Sequence, residues 1–238
     1  MAGRGSRYAD TGYDTPKPLI EVAGKPMLFW ALESLLEFDF STLILIVLEA
    51  HETQFSVSTL VKKYLGERVQ SSQIQVITIP AVTKGQLCTV LEAKALIDSE
   101  EDILIAASDT YNISNLAQDI RNKPPECSGI IAVLKQPGEQ WSFARTDAEG
   151  KVVEVAEKRR ISEFASNGLY YFSKGSEFVA TGADIVQNGA QTKGEYYVIP
   201  VYQKMIDEGK LITISMAEQM WDMGTPEAKL KFEKQFNP

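Results

Sequence analysis

Apolar positions over the first 134 residues alternate between two textures. Residues 26–37 (PMLFWALESLLE) carry apolar side chains at helical intervals, behind a proline of the kind a first helical turn tolerates. Residues 42–48 (TLILIVL) form an unbroken β-branched and apolar run, the pattern of a strand buried on both faces. The two signals then recur. An amphipathic helix is expected over 53–65 and a strand over 73–79. A helix opened by Gly85 runs to 97, a buried strand covers 103–107, a short helix 115–121 and a strand 129–134. Strands alternating with helices of about ten to fifteen residues predict βαβ units and a mostly parallel sheet.

Beyond residue 134 the runs shorten. Strands over 141–146, 151–157 and 167–172 are separated by turn residues such as Asp147-Ala148-Glu149-Gly150, so they read as antiparallel. Helices follow at 175–187 and 196–208, a strand at 211–215 and a last helix at 226–236. The expected fold is α/β: a Rossmann-like, mostly parallel mixed sheet flanked by helices, with a small antiparallel subregion. One domain over 1–238 is expected, with halves at 1–134 and 135–238. The chain has no internal repeat, no low-complexity segment and no hexapeptide repeat.

Composition narrows the classes. An apolar content of 44% and a charged content of 24% are those of an ordinary water-soluble globular chain. No run approaches the roughly 18 apolar residues of a membrane span, and no signal peptide opens the chain. Cys88 and Cys127 lie far apart without metal-ligand spacing, which suits a reducing cytoplasm. A formal charge of −8 argues against a nucleic-acid or anionic-membrane binder. Residues 1–27 nevertheless hold Arg4, Arg7, Lys17 and Lys25 against Asp10, Asp14 and Glu21. Positive charge gathered locally on an acidic chain is how a small anionic ligand would be held. His51 is the only histidine and reads as a capping or surface residue, so histidine general-base mechanisms lose their usual player.

The chemistry concentrates at the start. Gly3-Arg4-Gly5-Ser6-Arg7 lets backbone N–H groups form an anion nest, beside Lys17 held between two prolines. Such a loop normally follows a buried strand, so the first strand is expected to be missing before Met1. Taken alone, the segment could equally be a basic tail. Asp109 ends the apolar run ILIAAS, where ligands of open α/β sheets bind, and suits Mg²⁺; a helix N-cap is the alternative. Asp222, in WDMGTPEA, stands between a strand and a helix and has the same two readings.

In order along the chain, MAGRGSR…PKPLIEVAGKPM, Ser108-Asp109, Glu157-Lys158, NGLYYF at 167–172, GEYY at 194–197 and WDMGTPEA at 221–228 resemble the sugar-1-phosphate nucleotidylyltransferases, also called NDP-sugar pyrophosphorylases. Glucose-1-phosphate thymidylyltransferase is one such enzyme. The resemblance implies that Gly3, Arg4, Gly5, Ser6 and Arg7 cover the nucleoside triphosphate, with Arg7 and Lys17 as catalytic cations on its phosphates. Gly85 and Gln86 would sit where the base lies against the backbone. Asp109 and Asp222 would hold Mg²⁺. Glu157, Lys158, Asn167, Gly168 and Glu195 would line the sugar-phosphate pocket, so the antiparallel subregion becomes the sugar-binding part. The implied reaction joins a nucleoside triphosphate and a sugar 1-phosphate into an NDP-sugar and pyrophosphate, for nucleotide-sugar and polysaccharide biosynthesis. The implied enzyme is cytoplasmic and Mg²⁺-dependent, with room for a homo-oligomer and with no nucleic-acid or membrane partner.

The residues keep other readings open. Lys158 starts a basic cluster with Arg159 and Arg160 that could be a solvated turn, Glu195 could be a first-turn helix acid, and Asn167-Gly168 a strand entry. The segment before Gly85 lacks the glutamine found in thymidylyltransferases, which leaves the base open. A non-sugar phosphate such as phosphocholine or a polyol phosphate could replace the acceptor. An NDP-sugar-dependent glycosyltransferase is disfavoured because Asp109-Thr110-Tyr111 holds one acid rather than a DxD pair. A non-catalytic nucleotide-sugar sensor would not need Arg7, Lys17, Asp109 and Asp222 together.

Overall fold

The computed structural model describes Tyr8 and residues 12–236. A 3₁₀ turn at Lys17–Leu19 leads into the hairpin β1 (Glu21–Val22) and β2 (Lys25–Pro26), then α1 (Met27–Glu33) and β3 (Leu43–Leu48). Next come α2 (Glu49–Phe55), α3 (Val57–Leu65), β4 (Ile74–Ile79), α4 (Gln86–Leu91), α5 (Lys94–Ile97), β5 (Ile103–Ala106) and β6 (Thr110–Ser114). Then follow α6 (Leu116–Asn122), β7 (Cys127–Lys135), β8 (Ser142–Thr146), β9 (Val152–Glu157) and β10 (Phe164–Phe172). The chain closes with α7 (Gly175–Asn188), α8 (Ile199–Asp207), β11 (Leu211–Asp222) and α9 (Pro226–Phe236). These elements make an α/β fold around a mixed sheet. Two compact units emerge. One holds Met1–Thr83, Ala107–Asn112 and Trp221–Pro238; the other holds Lys84–Ala106 and Ile113–Met220.

In the first unit β3 and β4 pair in parallel from Leu43↔Ile74 to Leu48↔Ile79. Leu45 and Val47 of β3 pack with Leu28, Phe29 and Leu32 of α1 and with Val57, Val61 and Leu65 of α3. Only Leu45 and Val47 of the run are buried, on the face that meets these helices; Ile44, Ile46 and Leu48 on the other face are half-buried, so the strand expected to be buried on both faces is fully covered on one. The helix expected over 53–65 is two helices. Ser56 adopts a left-handed conformation (φ 49°, ψ 50°), and the Glu52 carboxylate accepts the N–H of Ser58 across the break. His51 lies within α2, and burial lowers its pKa below the ordinary histidine value.

A second cluster in this unit joins Tyr8, Ile20, Val22, Met27, Met223 and Phe232. It seats the end of β11 and α9 against Tyr8 and the segment from Ile20 to Met27. Trp30, Phe232 and Phe236 extend it as aromatic contacts, with Trp30 and Phe232 centroids 4.9 Å apart and Phe232 and Phe236 stacked at 4.3 Å.

In the second unit the sheet runs β11-β7-β10-β8-β9, with β5 also paired to β10. β7 and β11 are parallel, while β10 runs antiparallel to β5, β7 and β8, and β8 to β9. The expected antiparallel segment over 141–172 is present as β8, β9 and β10. β10 changes partner along its length. Phe164 and Ala165 pair with β8, whereas Leu169 to Phe172 pair with β5. A register shift against β7 falls between Ser166 and Tyr170, so the sheet splits at Asn167-Gly168. Phe172 stacks on Tyr202 of α8 at 4.3 Å, and Tyr170, Tyr171 and Phe172 are buried. Among the described residues no helix is long and apolar enough to cross a membrane.

Candidate functional site

The segment Gly3, Arg4, Gly5, Ser6 and Arg7 lies outside the described residues. The other expected positions fall into two groups, one in each unit.

In the first unit, Pro16 and Pro18 fix backbone angles around Lys17, and the 3₁₀ turn closes with Leu19 N–H on Pro16 O at 2.8 Å. This rigid turn aims the Lys17 ammonium at Oδ2 of Asp109, to which it donates a hydrogen bond. Asp109 sits just past β5, where the apolar run ends. Burial pushes its carboxyl up, and the Lys17 charge more than offsets this, holding it below the ordinary carboxylate value. The side chains of Lys17 and Asp109 keep 21% and 26% exposure, so the pair is open to a ligand from one side.

Asp222 ends β11, eleven residues further along the strand than its first residue Leu211. The expected strand over 211–215 is therefore too short, and its extension delivers this acid. Gly224 N–H donates to Asp222 Oδ1 at 2.8 Å, and Met223 N–H donates to Asp109 O at 2.8 Å. A Cβ at Gly224 would lie 2.7 Å from Asp222 Oδ1, 3.4 Å from Lys17 Nζ and 3.5 Å from Asp109 Oδ2. Two carboxylates and one ammonium thus converge on a glycine that leaves them room. Gly224 was not among the expected site residues; its position two residues after Asp222 was the available signal.

This donor set suits magnesium. The ion takes one or two protein carboxylates and completes its shell with water and substrate phosphate oxygens. No cluster of three or more His, Cys, Asp or Glu able to hold a metal occurs among the described residues, so a dedicated protein cage is not built here. The Lys17 ammonium on Asp109 marks the point to which that carboxylate draws a cation.

In the second unit, Glu157 closes β9 opposite Ser142 of β8. The Ser142 hydroxyl donates to Glu157 Oε2, and Tyr170 donates to Ser142 Oγ at 3.3 Å. Burial raises the Glu157 carboxyl above its ordinary value despite this bond. Lys158 follows in a left-handed conformation (φ 53°), with its N–H on Trp141 O at 2.9 Å. Such a backbone is costly for any residue with a Cβ and recurs at ligand clamps. Lys158 Nζ donates to the Tyr197 hydroxyl and lies 4.3 Å from the centroid of that ring. Tyr197 donates in turn to Glu195 Oε2 at 2.7 Å.

Glu195 is not a first-turn helix acid, because α8 starts at Ile199. It closes a tight turn in which Thr192 and Glu195 exchange both backbone hydrogen bonds around Lys193 (φ 50°) and Gly194 (φ 83°). The next residue, Tyr196, is clipped to the segment that opens α4: its N–H donates to Lys84 O at 2.8 Å, and its carbonyl accepts Leu87 N–H at 3.0 Å. Gly85 lies inside this clip with φ 122°, and a Cβ there would come within 2.5 Å of Tyr196 O. Gln86 is the first residue of α4. The structure therefore joins Gly85 and Gln86 to Glu195, and Glu195 through Tyr197 to Lys158. Asn167, buried, and Gly168 (φ 86°) occupy the split in β10, where Asn167 Oδ1 accepts Leu169 N–H at 3.1 Å. Ser142 and Tyr197 were not expected; Tyr197 lay inside the quoted GEYY motif, but no local pattern assigned its hydroxyl.

A family model described as Nucleotidyl transferase matches residues 1–237. The chain is 25% identical over 234 residues to a mannose-1-phosphate guanylyltransferase catalytic subunit beta of Drosophila pseudoobscura pseudoobscura, covering 95% of this chain but 58% of that protein. It is 22% identical over 240 residues to a UTP–glucose-1-phosphate uridylyltransferase of Haloferax volcanii, covering 98% and 93%. Among solved structures it superposes on a nucleoside-diphosphate-sugar pyrophosphorylase from Vibrio cholerae RC9 with a TM-score of 0.82 and 25% identity, over 99% and 98% of the two chains. The match along nearly the whole length, with the acids at the ends of β5 and β11, makes this chain a member of the nucleotidyl transferase family.

Proposed function

We propose that the chain is a sugar-1-phosphate nucleotidylyltransferase, converting a nucleoside triphosphate and a sugar 1-phosphate into an NDP-sugar and pyrophosphate. The observation that carries this reading is the cradle of Lys17, Asp109 and Asp222 around Gly224. An ammonium and two carboxylates open to solvent on one side suit a metal-bound triphosphate and little else.

An oxygen of the acceptor phosphate attacks the α-phosphorus in line; the bond from that phosphorus to the bridging oxygen breaks, and pyrophosphate leaves with the electron pair. The acceptor phosphate is already an anion at neutral pH, so the attack needs no general base. Two anions must instead be brought together against their repulsion. Lys17 and Arg7 neutralise charge on the triphosphate, and Lys158 anchors the acceptor phosphate, held at the right height by Tyr197. Glu157, kept buried by the Ser142 bond, is suited to accept hydrogen bonds from acceptor hydroxyls. Asn167, Gly168 and Glu195 complete this acceptor side, Glu195 by orienting Tyr197. Gly85 and Gln86 border the base. Magnesium held by Asp109 and Asp222 would supply positive charge to the phosphates and to the departing pyrophosphate.

The relatives' names include both guanylyl and uridylyl transfer, so base and sugar are open within this class. Free thiols at Cys88 and Cys127 are in keeping with a cytoplasmic enzyme. The test is a matrix of nucleoside triphosphates against sugar 1-phosphates, phosphocholine and polyol phosphates, read by pyrophosphate release. Turnover confined to one triphosphate and a sugar 1-phosphate supports the reading. Turnover with phosphocholine alone would replace the acceptor, and none with any pair would refute it.

A further inference from the structure

We infer that Ser142 and Tyr170 are positioning residues that make Glu157 the reader of one acceptor hydroxyl: they occupy one carboxylate oxygen from behind and leave the other for a group that brings its own proton. The inference rests on the proposed nucleotidylyl transfer and deepens its acceptor side.

Ser142 is the first residue of β8 and Glu157 the last of β9, and the two stand opposite each other in the antiparallel register. Such cross-strand partners carry their side chains on the same face of a sheet. Tyr170 comes from β10, past the split at Asn167-Gly168, where that strand has left β8 for β5. It is 5% exposed, and its hydroxyl lies 3.3 Å from Ser142 Oγ. The ring packs tilted against Tyr202 with centroids 6.2 Å apart, a contact that phenylalanine would make as well. The hydroxyl is the part this packing does not need.

The protons of the three groups can be ordered in only one way. An ionised carboxylate accepts and cannot donate, so the Ser142 proton points to Glu157 Oε2. The Ser142 oxygen then offers Tyr170 lone pairs alone, and the phenol proton fills one of them. Burial, then the charge of Glu157, push the Tyr170 phenol up to about 12, so it stays protonated and keeps donating. Both hydroxyl protons are thus spent inward. A ligand arriving at Glu157 meets carboxylate lone pairs, chiefly those of Oε1, on a group whose charge burial already disfavours. A ligand hydroxyl satisfies them. A hydrogen or a fluorine in its place leaves the charge unmatched, a loss of about ten- to a hundredfold for one hydrogen bond to a charged group.

The test uses the full chain with magnesium, a panel of nucleoside triphosphates, and glucose 1-phosphate, mannose 1-phosphate and their monodeoxy analogues, one hydroxyl removed at a time. Pyrophosphate release gives kcat and acceptor KM for wild type, Glu157→Ala, Ser142→Ala, Ser142→Thr and Tyr170→Phe. Glu157→Ala is expected to erase the penalty for a single deoxy analogue, which identifies the hydroxyl that Glu157 reads. Ser142→Ala should shrink that same penalty about tenfold through acceptor KM, Tyr170→Phe should shrink it less, and Ser142→Thr, which keeps a hydroxyl, should preserve it. Penalties at the other hydroxyls should not move, whereas a purely structural role would lower Tm or scale all acceptors alike. Should Ser142→Ala not fold, Tyr170→Phe decides. Penalties unchanged, or reduced equally at every hydroxyl, in the folded variants would overturn the inference and leave the transfer reaction standing. No transfer to either parent sugar phosphate from any triphosphate would overturn both.

Discussion

The ammonium of Lys17 rests on the carboxylate of Asp109, ninety-two residues further along the chain. A proline-locked turn and the end of a buried strand place opposite charges together at a half-open surface. In the proposed reaction Lys17 would stay paired with Asp109 before substrate binds and then lend its charge to the phosphates.

Lys17→Met is expected to lower kcat by about 10²–10³, as loss of a preorganised charge at a reacting centre does. Lys17→Arg should recover little, because the guanidinium is planar and longer than the turn allows for. Steady-state pyrophosphate release measures both. A fully active Lys17→Met enzyme would remove Lys17 from the site.

Gly224→Ala places a methyl 2.7 Å from Asp222 Oδ1, and Gly85→Ala one 2.5 Å from Tyr196 O on a backbone with φ 122°. The two should differ in kind. Gly224→Ala is expected to cost turnover more than stability. Gly85→Ala should destabilise the fold by more than about 1 kcal/mol, read as a lowered Tm. The reverse pattern would mean that the two glycines have been assigned the wrong roles.

Tyr197→Phe severs Glu195 from Lys158 while keeping the ring under the ammonium. The acceptor KM should rise severalfold with the triphosphate KM unchanged. Glu195→Gln, which can still accept the Tyr197 hydroxyl, should be milder than Glu195→Ala. Equal effects on both substrates would assign Tyr197 to general packing.

Glu157 gives a pH-dependent signature. Burial holds its folded pKa above the unfolded one, so the ionised carboxyl costs stability, a cost fully present above the folded pKa and relieved as pH falls through it. Glu157→Gln should therefore raise Tm at pH 8 while weakening acceptor binding, and the stability gain should vanish below about pH 4, where both side chains are neutral. Thermal melts across this range decide it; a Tm at pH 8 below wild type would contradict the account.

The parts of the site legible in the sequence are those written in local pattern. An apolar strand that stops at an acid marks Asp109, and Lys17 between two prolines marks a rigid turn. Asp222 could be named, but the strand that carries it was read too short, because Met216 to Asp222 alternate weakly and are half-exposed. The helix breaks at Ser56 and Ala93 were not legible. Ser56 sits in an amphipathic run and takes a left-handed backbone without glycine, and Ala93 is a strong helix former at a tight turn. The link from Lys158 through Tyr197 to Glu195 depends on the Lys193-Gly194 turn and on a contact across thirty-nine positions, which no periodicity encodes. Gly3 to Arg7, the most conspicuous motif in the sequence, lies among the residues left undescribed.

The central claim is transfer at the α-phosphorus by a site built on Lys17, Asp109 and Asp222. It is tested most directly by following the phosphorus-containing products by ³¹P NMR, with wild type and Asp109→Asn, using the active substrate pair and magnesium. An NDP-sugar and pyrophosphate in a one-to-one ratio from wild type, with neither from Asp109→Asn, is the predicted result. Orthophosphate as the released group, or unchanged turnover in Asp109→Asn, would contradict it.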